Sequence, residues 1–195
     1  MKKIIIFLIF FFIQTLNISA DSSNEIKRIT VGNKDAKITI ITYESFTCSH
    51  CANFHINIYP ELKRDYIDTG IAKIEFRHFP LDVAAFNASK LSQCKNDGGS
   101  EILDSLYLNQ PKWVKGGTIA EINENLKKFL KSEGFDLDFN QCTGNKNIEN
   151  FILNDRINAV KKFKVNATPT IIINDKKFEK SLNYKNLKKT LEKLI

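Results

Sequence analysis

Two cysteines separated by two residues, Cys48 and Cys51, are the side chains in this sequence best placed for redox chemistry. They follow a run of β-branched and aromatic residues, Ile38 to Tyr43, and precede a stretch whose apolar residues are four apart. This order predicts a buried strand followed by a helix, with the first cysteine at the helix N-terminus. Unpaired backbone N–H groups and the helix dipole favour an anion there, so we expect Cys48 to be a nucleophilic thiolate.

Cys51 and His50, the other two residues of this motif that could take part in the chemistry, have separate predicted roles. Cys51 lies one helical turn further in, so we expect it to be less exposed and to act as the resolving thiol. His50, between the two cysteines, can add positive charge or a hydrogen bond. Such surroundings lower a thiol pKa below its free value of about 8.5.

A zinc site and a purely structural disulfide are two other interpretations of this motif, and the residues favour neither. Cys48, Cys51 and His55 form a Cys-x2-Cys-x3-His run that resembles part of a zinc site. Structural zinc sites usually need four protein ligands, and the remaining Cys and His residues are scattered, so no metal is predicted. A purely structural Cys48–Cys51 disulfide would close so short a loop that it would stabilise the fold little.

The other two cysteines, Cys94 and Cys142, suit a structural disulfide better. They lie 48 residues apart, and closing such a loop gives about 4 kcal/mol in the chain-entropy model. Four cysteines allow three connectivities, so the residues alone leave the pairing open.

The hydrophobic pattern predicts an α/β frame at about residues 25–80 and 164–195, with a helical block inserted at about 82–163. Residues 21–195 then form one domain. The predicted strands are 25–31, 38–43, 71–79 and 169–173, with a hairpin return over 176–179. The predicted helices are 49–66, 83–93, 100–108, 118–132, 147–163 and 184–194.

Residues 1–20 have the layout of a cleavable signal peptide. Lys2 and Lys3 precede an apolar run from Ile4 to Ile13, and a short polar stretch ends at Ala20. A membrane span needs roughly 20 apolar residues, so we expect export and no stable membrane insertion.

The net charge of +7 comes from 29 basic and 22 acidic residues. The lysines are spread along amphipathic stretches and form no compact basic block. Nucleic acid is therefore not an expected partner.

Three segments, together with the helical insertion, resemble the DsbA-like thiol-disulfide oxidoreductases of the thioredoxin superfamily. They are Phe46 to His55, Leu108 to Trp113, and Ala167 to Thr170. The resemblance covers nearly the whole mature chain, and it implies a thioredoxin fold with an inserted helical domain.

The resemblance also implies roles for individual residues. Cys48 would attack, Cys51 would resolve, and His50 would stabilise the Cys48 thiolate. Thr168 and Pro169 would form a cis peptide facing the disulfide and offer backbone hydrogen bonds to an extended substrate.

The Cys94 and Cys142 pair looks like the second, non-catalytic disulfide found in some alphaproteobacterial members of the family. Two departures stand out. Ser49 occupies a position where many oxidants have proline, and Thr42 occupies a strand position that is often acidic. Glu44 lies on the same strand face, and whether it accepts a proton from Cys51 or is a surface carboxylate stays open.

By resemblance, the substrates are reduced secreted proteins, and the reoxidising partner is a quinone-linked membrane oxidase of the DsbB type. We expect a periplasmic monomer without a cofactor. The rival functions are an isomerase or reductase on the same fold, and a non-catalytic chaperone or binding module that uses the groove beside Thr168 and Pro169.

Overall fold

A computed structural model describes residues 25–195, in which the predicted strands form one mixed sheet. The strands are β1 (Ile29–Gly32), β2 (Ile38–Glu44), β3 (Ala72–His78), β4 (Thr170–Ile173) and β5 (Lys176–Lys177). Their order is β1-β3-β2-β4-β5. β2 and β3 are parallel, whereas the other neighbouring pairs are antiparallel.

β2 is a central strand of the sheet, and all of its residues except Thr39 are buried. Ile40 pairs with Ile74 of β3 on one side and with Ile173 of β4 on the other. A strand covered on both faces reads as a continuous β-branched run, which is the pattern that predicted it.

The helix after β2 is interrupted where a single helix to Tyr66 was predicted. α1 (Ser49–Asn57) ends at Ile58, α2 (Tyr59–Leu62) follows, and a π-helical turn covers Lys63–Ile67. Pro60 explains the break, since proline has no N–H for the preceding helical turn and restricts the residue before it. The expected crossover from β2 through a helix to parallel β3 is confirmed.

The chain between β3 and β4 is helical, as predicted, and no strand occurs within residues 83–163. Its helices are α3 (Val83–Gln93), α4 (Glu101–Leu108), α5 (Gln110–Trp113), α6 (Ile119–Ser132), α7 (Phe139–Gly144) and α8 (Lys146–Phe163). The short α5 and α7 were not predicted. The last helix, α9 (Tyr184–Leu191), ends earlier than the predicted residue 194.

The main core joins the sheet to α1, α2 and α9 and continues into the helices of the insertion, with Phe46, Tyr107 and Trp113 fully buried in it. Within residues 25–195 no helix is both long and apolar enough to cross a membrane. The predicted signal peptide, residues 1–20, lies outside the described residues.

Candidate active site

Cys48 occupies the N-cap position of α1 and follows the short loop of residues 45–47 at the end of β2. Its backbone is extended, and its carbonyl oxygen accepts hydrogen bonds from the N–H groups of Cys51 at 3.1 Å and Ala52 at 3.2 Å. No side chain caps this helix end, so backbone N–H groups of the first turn remain available to the Cys48 sulfur. Cys48 is partly exposed, and both it and Cys51 are free thiols.

These surroundings lower the pKa of the Cys48 thiol to about 5. The largest cause is a hydrogen bond from the Cys51 thiol, and a hydrogen bond from Thr168 and the backbone N–H groups of Cys51 and His50 add to it. Partial burial opposes the shift without overcoming it. At neutral pH, Cys48 is therefore a thiolate in the dithiol protein.

Cys51 experiences the opposite environment. It is fully buried, and burial strongly raises the pKa of its thiol. The hydrogen bond it donates to Cys48 and the negative charge of Glu44 raise that pKa further. The site thus contains one ionised, accessible sulfur and one protonated, inaccessible sulfur.

Thr168 and Pro169, on the loop before β4, lie against Cys48. The peptide bond between them is cis, and the Cys48 sulfur lies 3.3 Å from the Thr168 carbonyl oxygen, to which it donates only in its protonated form. The Thr168 hydroxyl is buried and has no other hydrogen-bond partner in the described structure. It is therefore free to donate to the Cys48 thiolate, which agrees with its effect on the Cys48 pKa.

The structure gives His50 a backbone contact to the Cys48 sulfur, and the role of its imidazole in stabilising the thiolate stays a prediction. Its imidazole is exposed on the first turn of α1 and makes no hydrogen bond or ion pair with another described residue. The contribution of His50 to the low Cys48 pKa comes from its backbone N–H.

The helical insertion holds the catalytic loop through two side chains that the sequence did not single out. Gln110, at the start of α5, donates from Nε2 to the carbonyl oxygens of Phe46 at 2.7 Å and Cys48 at 3.0 Å. Asp82 caps α3 and accepts a hydrogen bond from the Thr47 hydroxyl at 2.6 Å. Gln110 belongs to one of the segments that carry the family resemblance, but no spacing rule pointed to its contact.

Beneath the cysteines, Glu44 and His55 form a buried pair. Glu44 is 2 % and His55 is 2 % exposed, and His55 Nε2 lies 2.7 Å from Glu44 Oε2. The proposal that Glu44 is a surface carboxylate is therefore wrong. His55 thus gives the buried Glu44 carboxylate a hydrogen-bond partner, without which its burial would be costly.

The geometry does not bring a zinc ligand set together. No group of three or more His, Cys, Asp or Glu side chains within residues 25–195 is arranged to hold a metal ion. His55, the third member of the Cys-x2-Cys-x3-His run, is hydrogen-bonded to Glu44 instead.

Cys94 and Cys142 are joined by a disulfide, with their Cα atoms 5.4 Å apart. The bond ties the C-terminal end of α3 to α7. It lies inside the helical insertion and involves neither Cys48 nor Cys51.

The arrangement is suited to thiol-disulfide exchange. A thiolate at a helix N-terminus is a good nucleophile and a good leaving group, and the adjacent buried thiol can close or reopen the disulfide. A stabilised Cys48 thiolate also lowers the free energy of the dithiol form, which favours the oxidation of other thiols.

Comparisons with known proteins agree with this site. The family described as thioredoxin matches residues 24–193. The crystal structure of alpha-DsbA1 from Wolbachia pipientis superposes with a TM-score of 0.76 at 30% identity, covering 86% of this chain and 90% of that chain. Disulfide bond formation protein D of Bacillus subtilis is 26% identical over 173 residues, covering 84% of this chain and 75% of that protein.

A Rickettsia bellii protein, named as a candidate protein-disulfide oxidoreductase, is 40% identical over 96 residues. That match spans 48% of this chain but only 37% of the rickettsial protein, so the two differ in length. The family match over residues 24–193 and the extent of the likeness to alpha-DsbA1 show that the chain belongs to the thioredoxin family and, within it, to the DsbA-like proteins.

Proposed function

We propose that this protein is an exported thiol-disulfide oxidoreductase that donates a Cys48–Cys51 disulfide to reduced secreted proteins. The observation that carries the proposal is the contrast between the two sulfurs. The pKa of Cys48 is lowered to about 5, whereas Cys51 is buried and its pKa is raised.

In the proposed cycle, a substrate thiolate attacks the Cys48 sulfur of the oxidised protein and displaces the Cys51 sulfur. A second substrate thiolate then attacks the substrate sulfur of the mixed disulfide, and Cys48 leaves as a thiolate. The substrate gains a disulfide and the protein becomes a dithiol. A leaving group with a low pKa departs quickly, so the stabilised Cys48 thiolate favours release of the oxidised substrate.

The loop at Thr168 and Pro169 is the proposed substrate-binding element. It lies against the reactive sulfur, so backbone groups of an extended substrate chain can pair with it during attack. His50 is exposed beside Cys48, where it can meet the incoming thiolate.

The remaining elements of the proposal rest on the family and on residues 1–20. The leader would direct the protein to the periplasm, where it would act as a monomer. A quinone-linked membrane oxidase of the DsbB type would regenerate the Cys48–Cys51 disulfide. The disulfide between Cys94 and Cys142 would be structural and take no part in exchange.

The direct test offers the oxidised protein a reduced, unfolded secreted protein and follows the formation of substrate disulfides. We expect one substrate disulfide per protein molecule and no reaction with Cys48→Ala. With Cys51→Ala and a substrate that already contains a disulfide, Cys48 should attack that bond and remain trapped in a mixed disulfide. In a parallel assay with insulin and an external reductant, we expect weaker activity. Fast insulin reduction with no substrate oxidation would instead identify a reductase.

A further inference from the structure

Cys51 has to gain and lose a proton although water does not reach it. When the Cys48–Cys51 bond is broken, the Cys51 sulfur leaves with the bonding electrons. The side chain is fully buried, and burial raises the pKa of its thiol. A sulfur of this kind leaves slowly unless it is protonated as it departs.

The carboxyl group whose charge acts on this sulfur belongs to Glu44. The N–H of the neighbouring Ser45 is hydrogen-bonded to the Cys51 sulfur, and the Glu44 charge acts directly on the Cys51 thiol. Glu44 Oε1 is buried and has no hydrogen-bond partner in the described structure, so one oxygen is free to exchange a proton. Glu44 itself is only 2 % exposed and needs its own connection to solvent.

His55 and Asp104 provide that connection. His55 Nε2 lies 2.7 Å from Glu44 Oε2, and His55 Nδ1 lies 3.7 Å from Asp104 Oδ1. The side chains of Glu44 and His55 are 3 % and 1 % exposed, whereas that of Asp104 is 33 % exposed and reaches solvent. His55 Nδ1 has no hydrogen-bond partner among residues 25–195, and a small rotation of the partly exposed Asp104 side chain would supply one.

We propose that Glu44, His55 and Asp104 form a proton relay that links the buried Cys51 sulfur to solvent during thiol-disulfide exchange. His55 and Asp104 act through Glu44 and touch neither sulfur, so they are positioning residues. The inference rests on the proposed exchange at Cys48 and Cys51, but it does not depend on whether the protein acts as an oxidant or a reductant.

The proton and electron movements balance in both directions. A thiolate attacks Cys48 Sγ, the Cys48–Cys51 bond breaks, and its electron pair remains on Cys51 Sγ. His55 gives its Nε2 proton to the Glu44 carboxylate, Glu44 passes a proton to Cys51 Sγ and becomes a carboxylate again, and His55 Nδ1 takes a proton from solvent through the Asp104 carboxyl. Reoxidation moves each proton the other way and returns the imidazole to its starting tautomer.

The ionisable groups around His55 come from three elements in addition to its own. Glu44 lies on β2, Tyr59 on α2, and Asp104 and Tyr107 on α4. The Tyr107 ring stacks on the imidazole with centroids 4.1 Å apart, and the Tyr59 ring meets it edge-on at 5.6 Å. Burial raises the pKa of both tyrosines, so they stay neutral, and the Tyr107 hydroxyl also interacts with the Glu44 carboxylate.

The test uses Asp104→Asn, a nearly isosteric change at a partly exposed position. Stopped-flow measurements at neutral pH give the rate of reduction of the purified oxidised protein by glutathione, and the rate of reoxidation of the dithiol by oxidised glutathione. We expect both rates to fall by about tenfold or more, as for the loss of general acid and base catalysis. The equilibrium constant should change less than about twofold, because a relay speeds both directions equally.

Two further variants separate a relay from a structural effect. His55→Gln keeps a donor toward Glu44 but cannot pass a proton on, so it should slow exchange as Asp104→Asn does. The double variant should be no slower than either single variant, because both interrupt one path. Glu101→Gln, on the same helix and with the same charge change, should exchange at the wild-type rate.

Wild-type exchange rates in Asp104→Asn would overturn the relay. A rate loss in Asp104→Asn that comes with an equally large shift of the equilibrium constant would also overturn it, and so would an equal rate loss in Glu101→Gln. These results leave the proposed function intact as long as Cys48→Ala abolishes the exchange. If exchange survives in Cys48→Ala, both the relay and the proposed function are wrong.

Discussion

At the scale of single residues, the two cysteines of the motif have identical side chains and opposite chemistry. Cys48 is at a helix N-terminus beside Thr168, where several donors reach its sulfur. Cys51 is in the core beside a buried carboxylate. Burial alone would raise both pKa values, so the donors around Cys48 decide which sulfur ionises.

Thr168→Val tests the strength of one of these donors. Removing the hydroxyl should raise the pKa of Cys48 and destabilise the thiolate by about 1 to 2 kcal/mol, as expected for a hydrogen bond to a charged group. Titration against glutathione should then show an equilibrium constant shifted roughly tenfold toward the disulfide form of the protein. Thr190→Val, on α9, is the matched control, and an unchanged equilibrium constant in Thr168→Val would contradict the assignment.

The low pKa of Cys48 also predicts how the stability of the dithiol protein depends on pH. Folding lowers this pKa from 9.0 to about 5, so the thiolate stabilises the folded dithiol fully above pH 9.0 and loses this effect as the pH falls toward 5. Urea unfolding of the reduced wild type and of Cys48→Ser should therefore give a difference in unfolding free energy that shrinks over this range. A difference that is constant with pH would disprove the low pKa.

The sequence predicted the sulfur roles but missed the residues that support them. Strand-to-helix patterning around a Cys-x-x-Cys pair is enough to place Cys48 at a helix start. The pairing of Glu44 with His55 depends on how α1 packs against β2, and Asp104 joins them from a distant helix. Local periodicity carries no information about such contacts. The sequence therefore left the role of Glu44 open and assigned no role to His55.

At the scale of elements, the catalytic loop depends on the helical insertion. Gln110 is 8 % exposed, and its amide satisfies a carbonyl on each side of Thr47. The insertion therefore helps to position the active site, since one of its shortest helices holds the backbone that carries Cys48.

Gln110→Leu should show this dependence. The substitution keeps the size of the side chain but leaves the buried Phe46 carbonyl oxygen without its donor, which should cost about 1 to 3 kcal/mol of unfolding free energy. Urea unfolding of the reduced protein measures this loss. Gln141→Leu, at an exposed position of α7, should change stability by no more than about 0.5 kcal/mol, and an equal loss in both variants would contradict the role of Gln110.

Helices and strands were predicted correctly where they were long enough to show a hydrophobic period, and were missed where they were too short. β2, β3 and α3 have enough residues to show a period of two or of about four, and the structure places them close to the predicted bounds. α5 and α7 are too short for such a period. The break at Ile58 could have been predicted from Pro60, because a proline inside a helical pattern ends or kinks the helix.

At the scale of the whole molecule, the disulfide between Cys94 and Cys142 joins parts of the insertion that are 48 residues apart. Replacing both cysteines with alanine should lower the free energy of unfolding by roughly 2 to 4 kcal/mol, because the unfolded chain regains the freedom of that loop. Exchange at Cys48 should continue, since neither residue contacts the catalytic loop. A double variant as stable as the wild type would show that the bond contributes nothing to folding.

The overall architecture was predictable because the frame and the insertion differ in hydrophobic period. β-branched runs predict the strands of the sheet, and apolar residues four apart predict the helical block. In the structure all helices of the block lie between β3 and β4. The contacts that hold the insertion against the frame were not predictable. They include single hydrogen bonds such as that from Gln110 to the Cys48 carbonyl oxygen, which no pattern encodes.

The central claim is that the fold stabilises the Cys48 thiolate enough to make the protein a disulfide donor. The most direct measurement is an equilibrium titration of the Cys48 and Cys51 pair against glutathione, with the pKa of Cys48 read from thiolate absorbance in the same sample. The account predicts a strongly oxidising couple and a Cys48 pKa of about 5. A reducing couple, with a Cys48 pKa near that of a free thiol, would contradict it.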